Sequence, residues 1–264
     1  MLRTVDITRY ITPLREGSSL PALVEADDGR EYVTKFRGAG HGAKALIAEL
    51  VVGEIGRALG LPVPELVLAI LPEEIARGES HDEIRDLLGW SVGLNIGVAF
   101  VAGALASDMT RTPAEGPEWA ADVIWFDDLT TNPDRTPRNA NLIVGDRRTW
   151  LIDHGSALYV HHAWDDPDAH ARRPFERIGE HILLPFASSI ADADAHLAPL
   201  LERSTLDRII DAIPDAWLTD ARFGGPARER DAYRRYLAAR LDARATWVGE
   251  AERARIEVQR DAVA

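Results

Sequence analysis

FDDLTTNPDRTPRNANLIV at residues 126–144, followed after a short turn by WLIDHG at 150–155, decides the reading of this chain. The first stretch leaves a helix predicted over EWAADVIWFDDL (118–129) and crosses a polar loop that holds Pro133 and Pro137. It then enters a short apolar strand at NLIV, 141–144. The turn GDRR leads to a second apolar strand, TWLI, which delivers Asp153 to its end. Helix, polar loop, hairpin and Asp-x-Gly aim Asp134, Asp153 and the asparagines Asn139 and Asn141 at one point. Hard oxygen donors of this kind suit Mg²⁺, which takes few protein ligands and fills its shell with phosphate oxygens and water. A free carboxylate beside them orients or deprotonates a hydroxyl. Singly, Asp and Asn are ordinary turn residues. As a set, joined by a strand lysine, they read as a site.

That lysine is Lys35. Of 30 basic residues only Lys35 and Lys44 are lysines; all others are arginine. Where arginine is the default, a lysine inside a strand asks for a reason, because a compact ammonium and a planar guanidinium do different work. Residues 20–37 predict a hairpin, LPALVEA and EYVTKFRG about the Asp-Gly turn of DDGR. GAGHG (38–42) follows, and 43–60 predicts a helix with Ile47, Val51, Ile55 and Leu59 on one stripe and Gly60 at its C′ position. LPVPELVLAIL (61–71) reads as an extended lead-in and a buried strand, 73–88 as a charged helix, 90–103 as a Gly-rich strand near a hinge, and 106–117 as loop. After about residue 174 the pattern is helical, broken near Pro185, Pro214 and 224–226. Strands first and helices last predict an α+β fold, with a small β-rich lobe over 1–103 and a larger helical lobe over 104–264.

Composition removes other classes. With no cysteine, a disulfide scaffold, a thiol nucleophile and a thiolate metal site are excluded. A net charge of −13 with no basic stripe argues against direct nucleic-acid binding. No apolar run reaches the roughly 18 residues of a membrane span, and MLRTVDITRYITPLREG has no signal-like apolar core, so a cytoplasmic protein without membrane contact is expected. No G-x-S-x-G elbow supports a serine hydrolase. His161 and His162 are adjacent and point apart on a regular element, so the acidic tract after them reads as exposed loop or cleft wall, not a metal site.

The segments YVTKFRG, ALIAELVVGEIGRALGLPVPE, FDDLTTNPDRTPRNANLIV and WLIDHGSALYVHH together resemble the HipA-like kinases, a bacterial branch of the protein-kinase-like fold with motifs also similar to those of phosphatidylinositol kinases. The resemblance covers about residues 20–162. It implies a bilobal kinase fold that uses ATP and Mg²⁺. Lys35 matches the strand lysine on the nucleotide phosphates, with Glu49, or else Glu54, as its helix partner. Asp134 matches the catalytic-loop aspartate, and Asp153 the metal-binding aspartate, with His154 in place of a phenylalanine. Two positions answer to the metal-binding asparagine. The usual five-residue interval after the aspartate selects Asn139, and the step into the apolar strand selects Asn141; the interval is given the greater weight. Arg135 or Arg138 is placed to neutralise phosphate charge. GAGHG follows Lys35 rather than preceding it and is not a G-x-G-x-x-G loop. The resemblance implies a protein serine or threonine as acceptor and a neutralising regulatory protein as partner. A small-molecule hydroxyl acceptor, or a non-catalytic nucleotide-binding pseudokinase, are the rival readings.

Overall fold

The computed structural model describes residues 2–14, 20–40, 42–107 and 112–262. It opens on a strand that the sequence pattern does not announce. β1, Arg3–Pro13, fully buries only Val5 and Ile7; Tyr10, Ile11 and Pro13 are half-buried and its other residues are polar and exposed. It pairs antiparallel with β2, Ala22–Ala26, which turns into β3, Glu31–Lys35. Gly29 makes that turn at φ 74°, its amide donating to the Ala26 carbonyl at 2.9 Å. α1, Ala43–Ala58, comes next, then β4, Leu66–Leu71. Where one helix was expected over 73–88 there are two, α2 (Glu73–Arg77) and α3 (Asp82–Trp90). Gly78 ends the first, and the Glu79 carboxylate accepts from the His81 amide, turning the chain between them.

β5, Gly93–Ala99, runs antiparallel to both β3 and β4. β4 also runs parallel to β1, from Arg3 opposite Val67 to Asp6 opposite Ile70. The order β1-β2-β3-β5-β4 therefore closes on itself. The β-rich first part of the chain is a closed five-stranded barrel rather than an open lobe sheet, and β1 supplies the closing ladder. Val5, Ile7, Val24, Tyr32, Val67 and Ala69 belong to its core.

α1 is buried without a break from Leu46 to Gly53, as expected of a helix apolar on all sides. Its predicted stripe, Ile47, Val51, Ile55 and Leu59, is buried throughout. Gly53 and Gly56 let it lie close on the β4 side: a Cβ at Gly53 would stand 2.6 Å from Leu66 Cδ1, and one at Gly56 2.8 Å from Val63 Cγ2.

The chain leaves the barrel at Ala99 and enters a second sheet at β6, Leu105–Ala106. Of the loop expected at 106–117, residues 108–111 lie outside the described residues. α4, Pro117–Leu129, precedes the hairpin of β7 (Leu142–Gly145) and β8 (Arg148–Leu151), and the sheet order is β6-β7-β8. Then come α5 (Pro167–Arg172), α6 (Ile190–Leu197), α7 (Arg203–Asp211), α8 (Pro226–Asp242) and α9 (Arg244–Asp261). α4 runs through the larger core against α6 and α9, with Trp125, Phe126, Trp217 and Trp247 buried there. Among the described residues no helix is long and apolar enough to cross a membrane.

Candidate active site

Lys35 closes β3, its backbone opposite Ile96 of β5. Its ammonium is buried and donates to Glu49 Oε2 at 2.5 Å and to Asp153 Oδ1 at 2.6 Å. Burial works to strip the proton from this amine, but the two carboxylates outweigh it and hold the pKa above that of a free lysine. For Glu49, burial pushes the carboxyl up, while Lys35 and His154 hold it down, to about 2. The His154 amide completes the arrangement, donating to Glu49 Oε2 at 2.8 Å. The His154 ring is buried edge-on against Phe126, at 5.8 Å between centroids. Glu54, the alternative helix partner, is not brought to Lys35; it pairs with Arg57 at 3.3 Å.

Asp134 lies in the loop after α4. Its Oδ2 accepts from Asn141 Nδ2 at 3.3 Å and from Ser156 Oγ at 3.4 Å. Asn141 Nδ2 also donates to the Asp134 carbonyl at 3.0 Å. The Asn141 carbonyl in turn accepts from the Ile152 amide at 3.1 Å, one residue before Asp153. Asn141 and Asp153 both have left-handed backbones, φ 49° and 57°. Asparagine and aspartate tolerate that region best among non-glycine residues, and such strain concentrates at functional positions. Asn139 is exposed, and its amide and carbonyl are engaged by Thr136 at 3.0 and 2.9 Å. The structure thus joins Asn141 to Asp134 and the Asp153 strand, and leaves Asn139 on an exposed turn.

A buried network that no sequence motif announces lies beneath the Asp134 loop. Asp127 on α4 accepts from Arg135 Nε at 2.5 Å, Asn132 Nδ2 at 2.9 Å and His181 Nε2 at 2.9 Å. His181 Nδ1 accepts from the Leu183 amide at 3.1 Å, which assigns the ring proton to Nε2. Burial pushes Asp127 up, and Arg135 and His181 hold it well below the usual carboxylate range. Burial keeps His181 neutral, below the ordinary histidine value. Arg135 is fully buried and also donates to the Asn141 carbonyl at 2.6 Å. It is therefore a loop anchor, not the phosphate-neutralising group expected of it; Arg138 is exposed. Next to this network Asp128 pairs with Arg240 at 2.7 Å. The signal available in the sequence was the pair Asp127–Asp128 directly after the apolar run VIWF of α4.

Two cavities flank the site. One, of about 570 Å³, runs from Lys35, Glu49 and Asp153 between Val33, Val98 and Ile152 to the Ala99–Val101 crossing. Of the GAGHG stretch, the described residues Gly38, Ala39, Gly40 and Gly42 do not line it. The other, of about 600 Å³, opens from Asp134 toward Arg138, Arg177 and Ile182. Among the described residues no three His, Cys, Asp or Glu side chains are grouped to hold a metal ion, the His161–His162 tract included. Asp153 and Asn141, with Asp134 bonded to Asn141, bring hard oxygen donors to the site, chemistry that fits an ion taking few protein ligands.

A family model described as HipA-like kinase matches residues 7–240. No curated protein matches the sequence significantly. Among solved structures, the proinflammatory kinase CtkA of Helicobacter pylori is similar at a TM-score of 0.58 and 14% identity, over 97% of this chain and 98% of that one. The Golgi casein kinase with Mn/ADP bound gives a TM-score of 0.48 at 12% identity, over 92% of this chain and 73% of that one. At such identities the likeness to CtkA is one of fold.

Proposed function

The chain belongs to the HipA-like kinase family, and from that premise we propose that it transfers the γ-phosphoryl group of Mg²⁺–ATP to a serine or threonine hydroxyl of a protein. The observation that carries the reading is Lys35, bonded at once to Glu49 and Asp153 on the wall of the 570 Å³ cavity. The cavity would take the adenine between Val33, Val98 and Ile152 against the Ala99–Val101 crossing, with the phosphates toward Lys35. Glu49 keeps the ammonium aimed and charged. Asp153 and Asn141 are the residues that would hold the metal ion, which when bound would supply neutralisation of phosphate charge. Asn141 takes this role rather than Asn139 because its side chain shares Asp134 and its backbone is tied next to Asp153.

Asp134 orients the acceptor hydroxyl through its carboxylate, where the departing proton is held. Ser156 and Asn141 both donate to Oδ2 of that carboxylate and hold its rotamer. Asp127, through Arg135 and Asn132, fixes the loop that carries it. The enzyme's part is positioning and charge neutralisation. The second cavity, beyond Asp134, supports an acceptor larger than a simple alcohol.

The test uses γ-labelled ATP, Mg²⁺, a protein-extract acceptor pool and a panel of small alcohols. Label is expected in serine or threonine of protein. Asp134→Asn should keep nucleotide affinity and lose about 10²–10⁴-fold in transfer. Label appearing only in alcohols overturns the acceptor assignment; binding with no transfer to any acceptor makes the protein a pseudokinase.

A further inference from the structure

Lys44, the second of the two lysines, takes no part in the chemistry above. It stands in the first turn of α1, five residues before Glu49. A cation there opposes the helix dipole, which favours negative charge at that end. α1 also begins on Gly42 with no side-chain cap and no acid in its first turn. Its amino end is held instead by contacts to the rest of the chain. Lys44 Nζ donates to the His161 carbonyl and lies 3.1 Å from Asp220 Oδ2.

Asp220 is the hub of that contact. Its carboxylate accepts from Arg222 Nε at 2.9 Å and Nη2 at 2.5 Å, and its amide donates to Glu229 Oε2 at 3.0 Å. Hydrogen bonding from Arg222, with Lys44 beside it, holds this carboxyl well below the usual range. Arg222 also donates to the Ala163 carbonyl and, at 3.4 Å, to the His162 carbonyl. One carboxylate therefore joins two cations, and both cations grip the backbone of residues 161–163. The start of that segment is tied to α1 as well: the His154 amide bonds Glu49, and Gly155 lies against Ala45.

We propose that Lys44, Asp220 and Arg222 form a latch that positions α1, so that Glu49 reaches Lys35 without covalent modification of the segment between Asp153 and Ala163. Switchable kinases order the corresponding elements by pairing an added phosphate with cations. Here a genetically encoded carboxylate takes the anion's place and is always present. Lysine suits the position because a compact ammonium meets one carbonyl and one carboxylate, a geometry that a planar fork matches less well. Lys44 is a positioning residue that acts through Glu49. The proposal rests on the kinase reading of Lys35 and Glu49.

The test compares the phosphatase-treated full chain with its Lys44→Gln, Lys44→Arg, Asp220→Asn and Lys44→Gln/Asp220→Asn variants, measuring kcat and KM for ATP together with thermal unfolding. Wild type should keep its kcat after phosphatase treatment. Lys44→Gln should lose about tenfold or more in kcat/KM for ATP, the scale of one charged hydrogen-bonded contact. Lys44→Arg should recover part of that loss, and the double variant should be no worse than the poorer single. No ATP-dependent transfer by wild type overturns the kinase reading and the latch with it. An active wild type with an equally active Lys44→Gln overturns the latch alone. So does a loss in Lys44→Gln that tracks a lowered melting temperature and adds to that of Asp220→Asn, and so does an activity that phosphatase abolishes.

Discussion

Asp127→Asn removes one charge from a place without water. The side chains of Asp127 and Arg135 are both 0% exposed, and the carboxylate receives Arg135, His181 and Asn132. A carboxamide keeps the shape but has one acceptor oxygen. If that oxygen faces Arg135 and His181, the amide N–H₂ confronts Asn132; turned over, it confronts the other two. Either way the Arg135 guanidinium stays buried without its counter-charge. Breaking a buried pair from one side costs about 3–5 kcal/mol, against about 5–15 kcal/mol of total stability for a typical protein. For a chain of this size that corresponds to roughly 6–20 °C in Tm. Urea unfolding followed by circular dichroism near pH 7 checks it, with the midpoint lowered and the slope m unchanged. Arg135→Met in the same background should return part of the loss, since neither charge then remains. The pH dependence has a definite sign. The folded-state pKa of Asp127 is depressed, so its contribution is complete above about pH 4, the unfolded value, and is lost as pH falls below it. The variant should therefore show a shallower acid slope. A loss under about 1 kcal/mol, or an acid slope equal to that of wild type, refutes the buried-pair argument.

Four further outcomes are expected. Mg²⁺–ATP at a hundredfold excess over its Kd should stabilise wild type by about 2.7 kcal/mol, and Lys35→Ala should abolish most of that thermal shift; an unchanged shift makes Lys35 purely structural. Asp153→Ala should weaken Mg²⁺-dependent nucleotide binding, whereas Asp134→Ala should bind nearly as wild type and transfer nothing; equal binding losses reverse the assignment. Asn141→Ala should raise the Mg²⁺ concentration needed for turnover and Asn139→Ala should not, as read from metal titrations of rate. His181 is buried neutral with its pKa lowered, so below about pH 6.5 the unfolded chain takes up the proton first and stability falls as pH drops; His181→Gln should flatten that slope in urea titrations between pH 5 and 7.

What could be read in the sequence was local. The Asp-Gly hairpin that carries Lys35, the apolar stripe of α1 and the two strands around GDRR each repeat with their own period, and the structure has them close to those positions. The polar β1 was not legible, because only Val5 and Ile7 mark its buried side and its closing partner lies some sixty residues on. The break at Gly78 was hidden by a charge pattern that fits one helix as well as two. The asparagine shows the limit of counting. Thr136 and Asn139 close a tight bridge, so the residues between Asp134 and Asn141 add chain length without adding reach. An interval measured in residues does not see that fold-back, whereas the step into the apolar strand does. Asp127 was visible as a charge after the apolar run VIWF, but its partner His181 lies 54 residues away and only tertiary packing joins them.

The closed barrel also sets an order of events on the ribosome. Every ladder of the barrel lies between Arg3 and Ala99, so its hydrogen bonding is complete before any of the carboxy-terminal helices has been made. α1 is in a different position. It belongs to the same stretch of nascent chain, yet Leu46, Ile47 and Leu50 are part of the core shared with α4 and the later helices, and α1 packs on α7 and the turn at Asp215–Trp217. Translation thus yields a finished barrel with α1 covered only on its barrel side; α4 adds to that cover soon after, and the part supplied by α7 and the turn at Asp215–Trp217 comes only after more than a hundred further residues. A fragment ending at the barrel would keep all of its strand pairs and expose the rest of α1, which makes it a substrate for chaperones and aggregation rather than a separable module.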